Sequence, residues 1–164
     1  MTYEVELSTR GLAGLAHYLD SYKKWLEKKC DELAEKLAAL GATSASIGFA
    51  QAMYDSPHKD FAISVHHDGP GAYTVRADGT DVLFIEFGAG DTMGHGYPPE
   101  EIGEFGPGTY NPESDKWKNP NGWFYRFGGT LYHSYGNPPN MPMYNAVKNL
   151  EQELQSIVSE VFKQ

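Results

Sequence analysis

The sequence predicts an α+β fold, in which a long N-terminal helix and a C-terminal helix pack on an antiparallel β-sheet with a long loop insertion. A leucine-rich stripe at helical spacing lies near the N-terminus, and a second amphipathic segment ends the chain. Between them, short alternating segments follow one another through tight turns. Helices that are separate along the chain from a run of strands are typical of α+β domains. The length of 164 residues suits one domain, residues 1–164.

The first helix is predicted over residues 10–40. Gly41 is expected to end it, because glycine is common just after a helix. Two interpretations stay open for so long a helix: it lies across the sheet, or one end extends beyond the sheet and packs on a neighbouring subunit. Its apolar residues recur three and four positions apart, as on one helix face: Leu12, Leu15, Leu19, Tyr22, Leu26, Cys30, Leu33, Leu37 and Leu40.

An antiparallel meander is predicted over residues 43–87. Its strands are expected near 43–53, 61–66, 73–77 and 82–87, and Asp78-Gly79 is a hairpin signal before the last of them. The continuous apolar run at 82–85 indicates a central strand that is covered on both faces.

Residues 88–121 are predicted to form one long loop. Connections of this length are usually functional or disordered. The loop carries the aromatic residues Tyr97, Phe105, Tyr110 and Trp117, and we expect it to become ordered on contact with a partner. A hairpin is then predicted at 122–135 around Gly128-Gly129. The last helix is expected at 140–163, with Asn140 as its N-cap and Pro142 in its first turn.

Composition weighs against several functional classes. The formal net charge is −9 and no basic stripe is visible, which argues against specific binding of nucleic acid. A single cysteine, Cys30, excludes a disulfide within the chain. No apolar run approaches the roughly 18 residues that span a membrane, and the first residues do not resemble a signal peptide. We therefore expect a cytoplasmic protein without membrane contact.

Candidate catalytic groups are few. Glu86 lies between Ile85 and Phe87, where a buried carboxylate could be a general acid or base. It could equally accept hydrogen bonds from loop backbone or pair with Arg76 or Arg126, and the need of a buried charge for partners favours this second interpretation.

The histidines do not make a convincing metal site. His66 and His67 would point to opposite faces of a strand, so only one of them could join a given site. The sequence therefore predicts no enzyme, no catalytic residue, no metal and no cofactor. The alternative is a small metal-dependent or acid-base hydrolase that uses Glu86, His95 and His133.

Three segments resemble a known family. They read FIEFGAG at 84–90, GWFY at 122–125 and HSYGNPPNMPMYNA at 133–146. They are similar to the tail-component family of long-tailed phages and prophages, which contains neck, tail-completion and head–tail joining proteins. The chain departs from the family pattern at residues 41–46 and at Met143, where phenylalanine is common.

The resemblance implies a virion structural protein of the neck, part of a homo-oligomeric ring that joins tail to head. Its partners would be copies of itself, adjacent connector proteins and tail-tube or tail-terminator proteins, with DNA passing through without specific binding. Its location would be the virion, and the host cytoplasm during assembly. The interface or motif residues that follow from it are Glu86, Phe87, Gly88, Trp117, Trp123, Tyr125, His133, Gly136, Pro138, Pro142, Met143 and Tyr144.

Overall fold

The computed structural model describes residues 8–54, 58–90 and 121–163. The predicted α+β class is confirmed, although the described strands form two separate antiparallel hairpins rather than one sheet. In chain order the elements are α1 (Thr9–Gln51), β1 (Ala62–Gly69), β2 (Ala72–Asp78), α2 (Val82–Phe87), β3 (Trp123–Phe127), β4 (Thr130–Ser134) and α3 (Pro142–Val161).

Helix α1 is longer than its predicted range of 10–40. Ser8 caps it by accepting a hydrogen bond from the N–H of Gly11 at 3.1 Å. Its 43 residues correspond to roughly 65 Å at 1.5 Å per residue. Gly41 does not end the helix, and the strand predicted at 43–53 is wrong. The physical reason is packing: a Cβ at Gly41 would lie 3.2 Å from Leu150 of α3, so this glycine allows two helices to approach.

Helix α2 replaces the central strand predicted at 82–87. Val82, Ile85 and Glu86 are all buried, which is the spacing of one helix face. A short apolar run does not distinguish a buried strand from a buried helix by periodicity, which is why the prediction failed. With strands absent at 43–53 and 82–87, the predicted meander reduces to the β1–β2 hairpin, in which Val65 pairs with Val75.

The second hairpin lies where the sequence predicts one. Strands β3 and β4 pair with Tyr125 opposite Tyr132, and Gly128 and Gly129 form the turn with φ of 55° and 83°. Two consecutive positive φ values are the requirement of a type I′ turn, which glycine meets without strain.

The main hydrophobic core lies where α1, α2 and the first hairpin meet. Phe49 and Ile85 are fully buried there, and the Phe49 ring stacks on Phe61 at 5.3 Å between centroids. Helix α3 runs antiparallel to α1, because contacts at rising positions of α3 fall at decreasing positions of α1. Those contacts are Pro142 with Gly48, Asn149 with Ser44, Glu160 with Lys36 and Phe162 with Trp25.

The start of α3 differs from its prediction. The helix begins at Pro142, and Met141 rather than Asn140 stands at the N-cap position, with φ 54° and no side-chain cap. The Asn140 side chain instead accepts from the N–H of Met53 at 2.8 Å and donates to its carbonyl at 2.9 Å. It therefore joins the end of α1 to the start of α3.

Two further expectations can be compared only with the described residues. Most of the predicted loop at 88–121 lies outside them, since residues 91–120, including Trp117, are not described. Within the part that is described, no helix combines the length and apolar character required to cross a membrane.

Candidate functional site

Most of the motif residues lie in one hydrogen-bonded unit, formed by residues 84–89 and 136–144, which we call the brace. At its centre is Glu86, which is only 4% exposed. Its carboxylate accepts the N–H of Met143 at 2.8 Å and the N–H of Tyr144 at 3.0 Å. The first N–H groups of a helix lack partners within the helix and favour a negative charge. Glu86 therefore caps α3 from a distant part of the chain.

The brace also provides hydrogen-bond donors for the carbonyls at the C-terminal end of α2. The N–H of Asn140 donates to the carbonyl of Ile85 at 2.9 Å, and the N–H of Met141 donates to the carbonyl of Glu86 at 3.2 Å. The Asn137 side chain donates to the carbonyl of Phe84 at 2.9 Å. The last carbonyls of α2 thus accept hydrogen bonds from the residues just before α3, and the first N–H groups of α3 donate to the side chain of Glu86 in α2.

The glycines of the motifs permit this close approach. Ala89 and Asn137 exchange two backbone hydrogen bonds, at 2.8 and 3.1 Å. A Cβ on Gly88 would lie 2.7 Å from the nitrogen of Pro139, and a Cβ on Gly136 would strike the carbonyl oxygen of Ala89. Both glycines have positive φ, 83° and 84°. The motifs that carried the family resemblance therefore have a sufficient structural explanation within this chain.

The brace places several sequence-predicted interface residues in the interior. Glu86, Phe87, Gly88 and Pro142 are buried, Gly136, Met143 and Tyr144 are half-buried, and Pro138 is exposed. Of the two interpretations of Glu86, the geometry supports the acceptor of backbone hydrogen bonds. The two hydrogen bonds described for this carboxylate come from the N-terminus of α3.

The residues of the hydrolase alternative are not brought into one site by the described contacts. The Nε2 atom of His133 lies 2.8 Å from the carbonyl oxygen of Asn121, and its ring contacts Phe124 and Tyr135. His95 lies outside the described residues. Within the described ranges, no group of three or more His, Cys, Asp or Glu side chains is arranged to hold a metal ion.

A cavity of about 360 Å³ lies between α2 and the second hairpin. Trp123 and Tyr125, two of the predicted interface residues, line it together with Phe127 from the same face of β3. The opposite face of the hairpin exposes Phe124 and Leu131 to solvent. This opposite face is mixed in character, because it also carries Arg126 and His133.

The N-terminal part of α1 is exposed over many consecutive residues. Residues 9–24, which we call the overhang, precede Trp25, the position at which α1 meets Phe162 after the end of α3. Every residue of the overhang is exposed or half-buried. It is about 24 Å long at 1.5 Å per residue. Of the two interpretations open for the long helix, the structure supports an end that extends beyond the other described residues, and packing of this end on a neighbouring subunit stays a prediction.

The overhang carries a solvent-exposed apolar stripe. Leu12 is 51% exposed, Leu19 54% and Tyr22 47%, and the half-buried Leu15 lies on the same face. Helix α3 has a second exposed apolar pair, Val147 and Leu154. Sequence reasoning detected the α1 stripe but did not include it among the site residues, because the helical spacing alone does not reveal which part of a stripe remains uncovered.

Comparisons with known proteins give one short similarity. A family model described as a sperm-tail PG-rich repeat matches residues 106–134, less than a fifth of the chain. Of these residues, 106–120 lie outside the described part, and 121–134 contain β3 and β4. No curated protein and no solved structure matches the chain.

The resemblance to the phage tail-component family is therefore wrong as an identification. The family model that matches is the sperm-tail repeat, and the comparisons contain no phage family. The physical reason lies in the motifs: they consist largely of glycine, proline and asparagine, which recur wherever a chain turns tightly. Their Glu-aromatic-Gly segment also ends a helix here, α2, rather than the strand that the resemblance implied.

Proposed function

We propose that this chain is a structural subunit without enzymatic activity, which assembles with copies of itself into a ring. The observation that carries the proposal is the apolar stripe of the overhang, which the described body leaves in solvent. Exposed apolar surfaces of this kind mark sites of protein–protein contact. The two oxygens of Glu86, the carboxylate considered for catalysis, accept backbone hydrogen bonds that hold two helices together.

The test is the mass of the purified chain in solution. Sedimentation velocity over concentrations from 1 to 200 µM, on the order of ordinary interface affinities, should show a concentration-dependent species larger than the monomer. Negative-stain images of that species should show closed rings of one size. A monomer at every concentration would contradict the proposal.

The narrower expectation, a connector between the head and tail of a phage particle, stays a prediction. In that form the neighbours of the ring would be adjacent connector, tail-tube or tail-terminator proteins, and DNA would pass through the channel. Deleting the gene from a phage or inducible prophage that carries it should leave filled heads and finished tails unattached in electron micrographs of the lysate. Joined, infectious particles would contradict this role while leaving self-assembly in place.

A further inference from the structure

The cavity between α2 and the second hairpin has aromatic walls. Its volume of about 360 Å³ is within the range of cavities that hold small ligands. Half of the ten residues that line it are aromatic: Tyr54, Phe84, Trp123, Tyr125 and Phe127. The last three lie on one face of β3, since side chains two positions apart in a strand share a face. Phe84 belongs to α2, so aromatic rings border the cavity on more than one side.

Two of these rings are held in place by contacts within the protein. The Trp123 ring packs against Gly90, where a Cβ would lie 3.0 Å from the indole. The Tyr125 ring stacks on Tyr132 of β4, with 5.6 Å between the ring centroids. Walls that are fixed before a ligand arrives lose little conformational entropy on binding, which favours affinity.

The charge of the cavity lining is negative. Among the described residues that line it, Asp81 is the only charged one. Its carboxylate accepts the Tyr54 hydroxyl at 2.8 Å and the N–H of Asp60 at 2.7 Å, which fix its position and leave its charge in place. No basic side chain of the described ranges forms an ion pair with it. A wall with one uncompensated negative charge favours a cationic ligand.

Asn137 adds a second electron-rich group to the lining. It is only 6% exposed, and its Nδ2 atom donates to the carbonyls of Phe84 and Pro138 at 2.9 and 3.2 Å. Its side-chain oxygen has no hydrogen-bond partner in the part of the chain that the structure describes. No fully enclosed side-chain oxygen or nitrogen of the described residues lacks a partner, so this oxygen reaches accessible space. The cavity is a space that Asn137 lines, and there the oxygen can accept from polarised C–H or N–H groups beside a positive nitrogen.

We propose that this cavity binds a methylated ammonium group. A cation over an aromatic ring is attracted by the electron-rich face of the ring, and groups of such rings recognise methylated nitrogen. The methyl groups suit the aromatic walls, whereas an unmethylated ammonium would lose hydrogen bonds to water that these walls cannot replace. Asp81 supplies the counter-charge. The inference does not depend on self-assembly, because every residue of the site belongs to one copy.

The first experiment titrates the purified full-length chain with choline in a calorimeter. The control ligand is 3,3-dimethylbutan-1-ol, which has nearly the same shape and no charge. Choline should bind with a dissociation constant on the order of 0.1–1 mM, and the alcohol should bind at least about tenfold more weakly. The same group occurs in small molecules and on methylated lysine side chains. Tighter binding of the N-acetyl amide of trimethyllysine than of choline would indicate a side chain as the source, and the reverse order a small molecule.

The second experiment changes the aromatic wall and the charge separately. Trp123→Leu removes one ring of the wall, and its control Phe124→Leu changes an exposed ring on the opposite face of the same strand. Asp81→Asn removes the counter-charge with little change in shape, and its control is Asp20→Asn on the exposed overhang. Each site variant should weaken choline binding roughly tenfold. The controls should stay within about threefold of wild type.

Each outcome supports or overturns the inference. Absence of saturable binding of both choline and the trimethyllysine amide up to about 20 mM, well above the expected dissociation constant, overturns it. Equal affinity for choline and the neutral alcohol also overturns it, because the cavity would then select apolar shape alone. Full retention of binding by both site variants has the same consequence. Circular dichroism checks the fold of each variant, and if Trp123→Leu is unfolded, Phe127→Leu tests the same wall at an exposed position.

Discussion

Glu86 joins α2 to the start of α3 through its side chain and its backbone. Its carboxylate pairs with two N–H groups at the start of α3, and its own carbonyl accepts the N–H of Met141. The side chain is buried, so its charge is held by hydrogen bonds rather than by water. A polar residue within an apolar run is thus explained by the needs of a helix terminus.

We predict that Glu86→Gln lowers the free energy of unfolding by roughly 1–3 kcal/mol. One of the two carboxylate acceptors would become an amide NH₂, which cannot accept from a backbone N–H, and the charge at the helix N-terminus would be lost. Urea unfolding followed by circular dichroism measures the change. The control is Glu151→Gln, which changes an exposed acid of α3 and should alter the free energy of unfolding by no more than about 0.5 kcal/mol. Equal effects of the two substitutions would contradict the capping role.

Asp60 makes the free energy of unfolding depend on pH in the acidic range. Its Oδ2 atom accepts the N–H and the hydroxyl of Thr80, both at 2.9 Å, and these hydrogen bonds lower the pKa of the carboxyl below its usual range. A lowered pKa in the folded state means that the ionised form stabilises the fold above the unfolded-state pKa, about 3.9 for aspartate. This contribution is lost as the pH falls through the lower folded-state pKa.

We therefore predict that Asp60→Asn flattens the acid limb of the stability profile. Urea midpoints between pH 3 and pH 7 should fall less steeply toward low pH in the variant than in wild type, because one titrating group has been removed. Asp20→Asn, on the exposed overhang, is the control. Parallel profiles for wild type and Asp60→Asn would show that the Thr80 contacts do not contribute.

At the scale of elements, the packing of α1 on α3 depends on small residues. Gly41 and Gly48 lie inside α1, where sequence rules treat glycine as a stop or as a weak point. The structure uses both as contact positions, for Leu150 and Pro142 respectively. This is why the helix predicted to end at residue 40 continues to Gln51.

Two glycines of α1 should respond oppositely to alanine. Gly48→Ala would place a Cβ 2.8 Å from Cβ of Pro142, and we predict a loss of roughly 1–3 kcal/mol in the free energy of unfolding. A Cβ on Gly14, in the overhang, has no neighbour within 4 Å. Gly14→Ala should therefore gain about 0.5–1 kcal/mol from helix propensity alone. Thermal unfolding of the two variants tests both signs, and stabilisation by Gly48→Ala would contradict the close helix contact.

Element type was predictable from the sequence wherever the signal was local and long. The stripe in α1, the amphipathic face of α3 and the glycine pair between β3 and β4 all led to the correct kind of element. The six residues of α2 did not, since a run of that length contains too few turns to show a helical period. Asp81, the residue before α2, accepts hydrogen bonds from the Tyr54 hydroxyl and the N–H of Asp60, so contacts with distant segments hold the start of α2 in place.

At the scale of the whole molecule, net charge opposes self-assembly. Two copies of a chain with net charge −9 repel each other at long range. The proposed assembly is driven by burial of the apolar stripe of the overhang, which depends little on the screening of charge. Salt should therefore act mainly on the repulsion, which is screened beyond roughly 8 Å at physiological ionic strength.

We predict that added salt strengthens self-association. Raising NaCl from 50 to 500 mM should lower the dissociation constant, because screening weakens the repulsion between copies of net charge −9. Sedimentation velocity at both salt concentrations measures the effect. Weaker association at high salt would show instead that ion pairs between copies dominate the contact.

The amino-acid sequence by itself determined the α+β class, the two terminal helices, the two hairpins and the apolar stripe of α1. Each depends on periodicity or on turn residues within a short window of the chain. Tertiary structure alone decided the helical state of α2, the course of α1 through Gly41, the partners of Glu86 and the exposure of the overhang. These features depend on contacts between residues more than 20 positions apart and on the length of α3 relative to α1, which no local pattern contains.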